Sequence, residues 1–104
     1  MIIVTTSEIL GKEILETMGT VRGSTVRARN LGRDVFAGLK NLVGGEISEY
    51  TKLLAEAREQ AIQRMTQDAE RIGADAVVNV RFTTSQVMQG AAEMLAYGTA
   101  VKLK

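Results

Sequence analysis

The sequence predicts an α+β fold, and three observations predict it. β-Branched stretches open and close the chain, as "MIIVTT" and "YGTAVKLK"; helical periodicity fills its middle; glycines stand where one pattern gives way to the next. The resulting order is strand–strand–helix–helix–strand–strand. Strands flanking a helical pair place the helices on one side of a mainly antiparallel or mixed sheet.

"MIIVTT" is a short opening strand bounded by a turn at Ser7. The stretch "EILETMGTVRGSTVRARN" alternates and is broken by Gly19 and Gly23, which predicts a second, longer strand that bends or bulges at those glycines. Its Arg22, Arg27 and Arg29 form either an anion patch or, more commonly, a solvated face or a set of subunit contacts.

Helical spacing predicts a first helix over 31–43, with Val35, Leu39 and Leu42 on one face and Phe36 beside them. Gly44 sits where a left-handed C-terminal cap belongs, and Gly45 adds freedom to turn. A second helix is expected over 46–72. Its stripe of Tyr50, Leu54, Ala57, Ala61, Met65, Ala69 and Ile72 recurs at spacings of four and three. Glu46 and Glu49 suit the positive end of the helix dipole, and Arg71 suits the negative end. Gly73 supplies the stop. On the outer face, Lys52–Glu56 and Arg64–Asp68 are opposite charges at i, i+4. The middle of the stripe, Ala57 and Ala61, is small, so something packs closely there.

"ADAVVNVRFTTS" then reads as a half-buried strand. Strict alternation sends Val78, Val80, Phe82 and Thr84 one way and Val77, Asn79, Arg81 and Thr83 the other. Asn79 and Arg81 are expected to hydrogen-bond a neighbouring element more than to hold a ligand. "QVMQGAAEM" fits a hinge with a short helix or a long hairpin connection. The last strand puts Leu95, Tyr97, Thr99, Val101 and Leu103 on one face, with Gly98 opposite at a bulge or close approach.

Composition bounds the chemistry. The 104 residues have room for one domain, 1–104, and the core is aliphatic because aromatics are only 4%. A net charge of +1 leaves no electrostatic footprint for nucleic acid or an anionic membrane. The absence of cysteine agrees with a cytoplasmic location, and no apolar run is long enough to span a bilayer or serve as a signal peptide. With neither His nor Cys, the chain lacks the usual base at neutral pH, the thiolate nucleophile, and the donors of zinc and copper sites. No nucleophile elbow or phosphate loop occurs.

The stretches "LGRDVFAGLKNLVGGEISEYTKLLAEAREQA", "GADAVVNVRF" and "YGTAVKLK" together resemble the YbjQ-like family of small bacterial and archaeal proteins. The resemblance covers nearly the whole chain, through Arg33-Asp34, Gly44-Gly45, Glu49-Tyr50, the run from Gly73 to Val77 and the run from Gly98 to Val101. It implies an α+β subunit that assembles into a homopentameric ring, and it brings a label of heavy-metal binding. It brings no catalytic residues, and the label suits a chain without soft ligands poorly.

Two function classes follow. One is a homo-oligomeric binding or scaffold module for a small molecule, an ion or a protein. The other is a carboxylate-dependent enzyme, using a hard metal ion such as Mg²⁺. Asp34, Glu46 and Glu49 lie at or beside the predicted helix–helix corner with Tyr50 next in line, and are the candidate ligand-site residues. Against that, Asp34 and Glu46 also suit helix ends, and Tyr50 the core stripe. No cofactor is specified. Two further features argue for self-association: a helix about 40 Å long outgrows a subunit roughly 33 Å across, and the terminal strands "MIIVTT" and "YGTAVKLK" are expected to leave edges that need pairing.

Overall fold

The computed structural model describes residues 1–28, 42–43, 46–88 and 91–104. The fold is α+β, one helix on a four-stranded mixed sheet. In chain order the elements are β1 (Ile2–Ile3), β2 (Ile14–Ala28), β3 (Leu42–Val43), β4 (Glu46–Ile47), α1 (Ser48–Arg71), β5 (Ala76–Met88) and β6 (Ala91–Leu103). The main sheet runs β1-β5-β6-β2, with β1 parallel to β5 and the other neighbours antiparallel.

α1 forms where the stripe predicts it. Ala57, Ala61, Met65 and Ala69 are fully buried against Val21, Met94, Ala96 and Ala100 of the sheet. Its C-terminus closes as a Schellman motif: Gly73 takes φ +81°, its N–H donates to Glu70 O at 3.0 Å, and Ala74 N–H donates to Ala69 O at 3.1 Å. The small centre of the stripe has a physical reason. Gly23 of β2 lies directly beneath it, and a Cβ there would collide with the backbone of Ala61, Arg64 and Met65.

The expected helix over 31–43 falls largely outside the described residues, but its end differs. Leu42 and Val43 pair antiparallel with Ile47 and Glu46. Only Gly44-Gly45 separates the two paired segments in sequence, the residue pair a two-residue reversal favours. The cap expected at Gly44 lies outside the described residues. The helix that follows starts at Ser48 instead of Glu46.

β5 corrects the simple alternation. Asn79 adopts φ +55°, and the register with β6 slips between Val78 and Arg81. This bulge changes the phase of the strand, so Val77 and Val80 share the helix-side core while Val78 joins the opposite cluster. The backbone groups it releases are used: Asn79 N–H donates to Thr6 O at 2.9 Å and Val80 N–H to Val4 O at 3.0 Å. β2 bulges at Gly19, as its sequence predicts, with φ +103° and a register shift between Thr17 and Gly19. Gly98 of β6 is a close approach, where a Cβ would lie 2.6 Å from Val77 Cγ1. Most of "QVMQGAAEM" is strand instead of a hinge, a short helix or a long connection, since β5 and β6 pair antiparallel out to Met88 and Ala91.

The sheet edges are β1 and β2, whereas "YGTAVKLK" belongs to β6, a central strand paired on both sides. The expected open edge at the chain's end is therefore filled within the subunit. The β2 edge is partly covered by α1: Arg22 N–H donates to Asp68 Oδ2 at 3.2 Å, and Arg64 Nη1 donates to Ser24 O at 2.6 Å. Asp68 pairs with Arg71 at 2.9 Å in place of the expected Arg64.

A second cluster, Ala76, Val78 and Val101 with Ile2, Val4, Ile9, Ile14 and Leu103, lies on the sheet's other face. It covers only the half of the sheet near β1. Toward the β5–β6 turn that face carries Val26 at 57% and Tyr97 at 38% exposure. The molecule is long and thin, 53 × 26 × 16 Å, with a radius of gyration of 16.9 Å, against about 13 Å for a compact chain of this size.

Candidate functional site

Of the sequence-predicted site residues, Glu46, Glu49 and Tyr50 are described by their backbone alone. Asp34 lies outside the described residues. Glu46 pairs with Val43 in the β3–β4 ladder, and Glu49 and Tyr50 occupy the first turn of α1; their side chains are outside what is described.

A groove of about 530 Å³ lies between the N-terminal half of α1 and the outer parts of β2, β5 and β6. Leu53, Leu54 and Ala57 form its helix wall, and Ala91, Ala92 and Met94 its sheet wall. The groove opens here because α1 packs over β2 and β6 and leaves the helix-side face of β5 uncovered, so that Phe82 remains 44% exposed and Thr84 and Gln86 border the opening. Its size and apolar lining are those of a small-molecule site.

Its polar character comes from two arginines. Arg27 on β2 and Arg58 on α1 both line it, and Arg27 Nη2 donates to Gln60 Oε1 at 2.9 Å, which fixes the guanidinium against the helix. Two buried polar atoms beside the groove lack a partner among the described residues: Arg27 Nε and Thr25 Oγ1. Thr25 is 3% exposed and stands opposite Met94 in the β2–β6 register, while Arg27 stands opposite Ala92. A buried donor left unsatisfied costs about 1–3 kcal/mol, so native folds rarely keep one without a use.

Among the described residues no acid–base pair accompanies them. Among the residues lining the groove, Ser85 and Glu93 are the hydroxyl and carboxylate that meet, with Ser85 Oγ donating to Glu93 Oε1 at 3.5 Å, longer than a general base needs. Alternation from buried Met94 also places the Glu93 carboxylate on the sheet face away from α1. The carboxylates held below their usual range serve the fold elsewhere. Asp68 is lowered by the Arg71 guanidinium and the Arg22 N–H; Asp75 is lowered by the Leu103 N–H at 2.9 Å and by nearby Lys102. Arg81 makes the hydrogen bond to a neighbouring element expected of it, Nη1 donating to Thr5 O at 2.8 Å, while Asn79 contributes its backbone N–H to Thr6 O.

Sequence reasoning named Arg27 within its basic stretch but missed Leu53, Arg58 and Met94. These come together only through the pairing of β2 with β6 under α1, and no local spacing signals it.

Residues 1–104 match the YbjQ sequence family, described as "Putative heavy-metal-binding". The chain belongs to this family. YbjQ relatives named UPF0145 protein include one from Methanosarcina acetivorans, 65% identical with 99% of this chain and 97% of that one covered. Others come from Archaeoglobus fulgidus, 60% identical (100% and 96% covered), and Photobacterium profundum, 59% identical (99% and 100% covered). The fold resembles the crystal structure of a DUF74-family protein of unknown function from Pediococcus pentosaceus, with TM-score 0.67, 17% identity, and 100% and 98% of the chains covered. The YbjQ description does not fit the donors of this chain. It contains no His or Cys, and among the described residues no three Asp or Glu side chains gather as a metal would need. No helix among the described residues is long and apolar enough to cross a membrane.

Proposed function

We propose that this YbjQ-family chain is a self-assembling, cytoplasmic small-molecule-binding module whose ligand site is the groove between α1 and the β5–β6 hairpin. The observation that carries this reading is the pairing of an apolar groove with polar atoms, Arg27 Nε and Thr25 Oγ1, that lie buried beside it without partners among the described residues. Assembly is supported by the subunit's shape: a radius of gyration of 16.9 Å and a sheet face covered over only half its length leave apolar surface for other copies. Five copies is the number the family resemblance implies. A carboxylate-dependent enzyme is the weaker reading, since the groove offers arginines where such chemistry needs acids.

Native mass spectrometry of the untagged protein purified from cells tests the proposal. The expected spectrum shows an oligomer carrying a retained small molecule. A ligand-free spectrum, together with no binding in the groove by any small-molecule probe, overturns it.

A further inference from the structure

We infer that the groove takes an amphipathic carboxylate, an unbranched or lightly branched acyl chain ending in one anionic head; this rests on the reading of the chain as a binding module. The charge around the groove points to the head. Arg27 and Arg58 line it, the one lining carboxylate, Glu93, projects from the opposite sheet face, and Glu56 and Glu59 border a separate depression. Two cations that no anion faces among the described residues attract a negative ligand and disfavour a positive one.

The state of Arg27 selects the kind of anion. Its Nη2 is already engaged by Gln60, so the guanidinium is held in place before a ligand arrives, while its Nε–H is buried and meets no acceptor among the described residues. A guanidinium so fixed suits a planar carboxylate, which accepts charge-assisted hydrogen bonds from neighbouring N–H groups. Arg58, on the exposed side of the helix, adds attraction at the mouth of the groove. Thr25 Oγ1 lies on the same side of β2, two residues away, and offers a hydroxyl to the head or to a bridging water.

The walls select the tail. Ala57 and Met94 are 2% and 5% exposed and Leu53 is half-buried, so the groove's inner surface is aliphatic, with no aromatic ring among its lining residues. Flexible Met94 adapts to chains of different shape. A nucleotide or an aromatic acid has no stacking partner among the residues that line the groove, whereas an acyl chain displaces water from aliphatic surface along its length.

Titration of isotope-labelled, full-length protein with sodium octanoate tests this, with 1-octanol as the uncharged probe and octylamine as the cation. Octanoate is expected to shift the amide and methyl signals of Ala57, Ala92 and Met94 saturably, at least tenfold more tightly than octanol, and octylamine is expected to be the weakest. Arg27→Gln is expected to bring octanoate down to the octanol level, and Arg58→Gln to weaken it several-fold. Should Arg27→Gln fail to fold, Ala92→Leu fills the groove from its half-buried sheet wall and is expected to abolish the shifts. Equal binding of octanoate and octanol overturns the carboxylate but leaves the binding module standing. No shift with any probe at millimolar concentration, as for a groove filled by the chain's own side chains, overturns both. Shifts confined to Val26 and Tyr97 assign the probe to the open sheet face and overturn the site.

Discussion

Gly23 of β2 lies against the backbone of Met65 in α1, so near that no side chain fits between strand and helix. Gly23→Ala is expected to force the helix off the sheet, at a cost upward of about 2 kcal/mol and a fall in Tm on the order of 10 °C. Thermal unfolding followed by circular dichroism measures it; a Tm within about 2 °C of wild type contradicts the contact. Ala61, above the same glycine and fully buried, faces the subunit's own sheet, so Ala61→Glu should unfold the subunit outright and not merely dissociate copies.

Asn79 holds a left-handed backbone at the β5 bulge, with φ +55°. Asparagine tolerates this conformation better than other residues with a Cβ. Asn79→Gly should therefore leave stability within about 0.5 kcal/mol of wild type, while Asn79→Val costs roughly 1–2 kcal/mol. Urea unfolding separates them, and equal stability of the two variants would show the bulge to be unstrained.

Acid should loosen the fold through Asp68 and Asp75. Both have folded-state pKa values below the ordinary carboxylate range, Asp68 chiefly through Arg71 and Asp75 chiefly through the Leu103 N–H. A depressed folded pKa means that the unfolded chain, titrating near ~3.9, binds protons first. Their contribution is thus fully present above about pH 5 and is lost as pH falls through 4 and below. The Asp68→Asn and Asp75→Asn variants are expected to be less stable at pH 7 and to show a flatter stability profile between about pH 5 and pH 2. A parallel, downward-shifted profile would assign the acid sensitivity to other groups.

Self-association is checked by sedimentation velocity at low micromolar concentration. The expected boundary is a single oligomer, five copies by family resemblance. A folded species of 11.3 kDa as the sole boundary would mean that the half-covered sheet is stable alone.

Soft and borderline metals should bind weakly, whatever the family description, because carboxylates alone hold zinc, copper and cadmium poorly beside thiolate or imidazole sites. Calorimetry on untagged protein is expected to give no submicromolar site. A 1:1 site of that affinity would refute the argument from donors.

Much of this fold was legible in the sequence because its signals are local. The stripe of α1, its Gly73 stop and the Gly19 bulge each depend on residues within a turn or two. The alternation of β6 held along its length, with Met94, Ala96 and Ala100 in the helix-side core and Val101 and Leu103 against the other cluster. Legibility failed where one residue changes the phase, as at Asn79, and where a strand pair interrupts a helical period, as at Leu42 and Val43. The groove was hidden for a third reason. Arg27, Leu53 and Met94 become neighbours only by pairing strands far apart in the chain, and no period along one strand or helix records that pairing.

The position of β6 also dictates the order of events at the ribosome. Both β2 and β5 find their partners on this strand, with Ile14 opposite Leu103 and Ala76 opposite Val101. While the nascent chain is still growing, the fifteen residues of β2 have been made but have no strand to join. α1 is likewise finished before the surface that buries Met65 exists. Vectorial synthesis therefore delivers an amphipathic helix and a long unpaired strand first, and the strand that unites them last. The β1–β5 and β2–β6 pairings close long loops, which slows folding and prolongs the exposure of sticky segments. The nascent chain is therefore expected to expose most apolar surface just before the thirteen residues of β6 emerge.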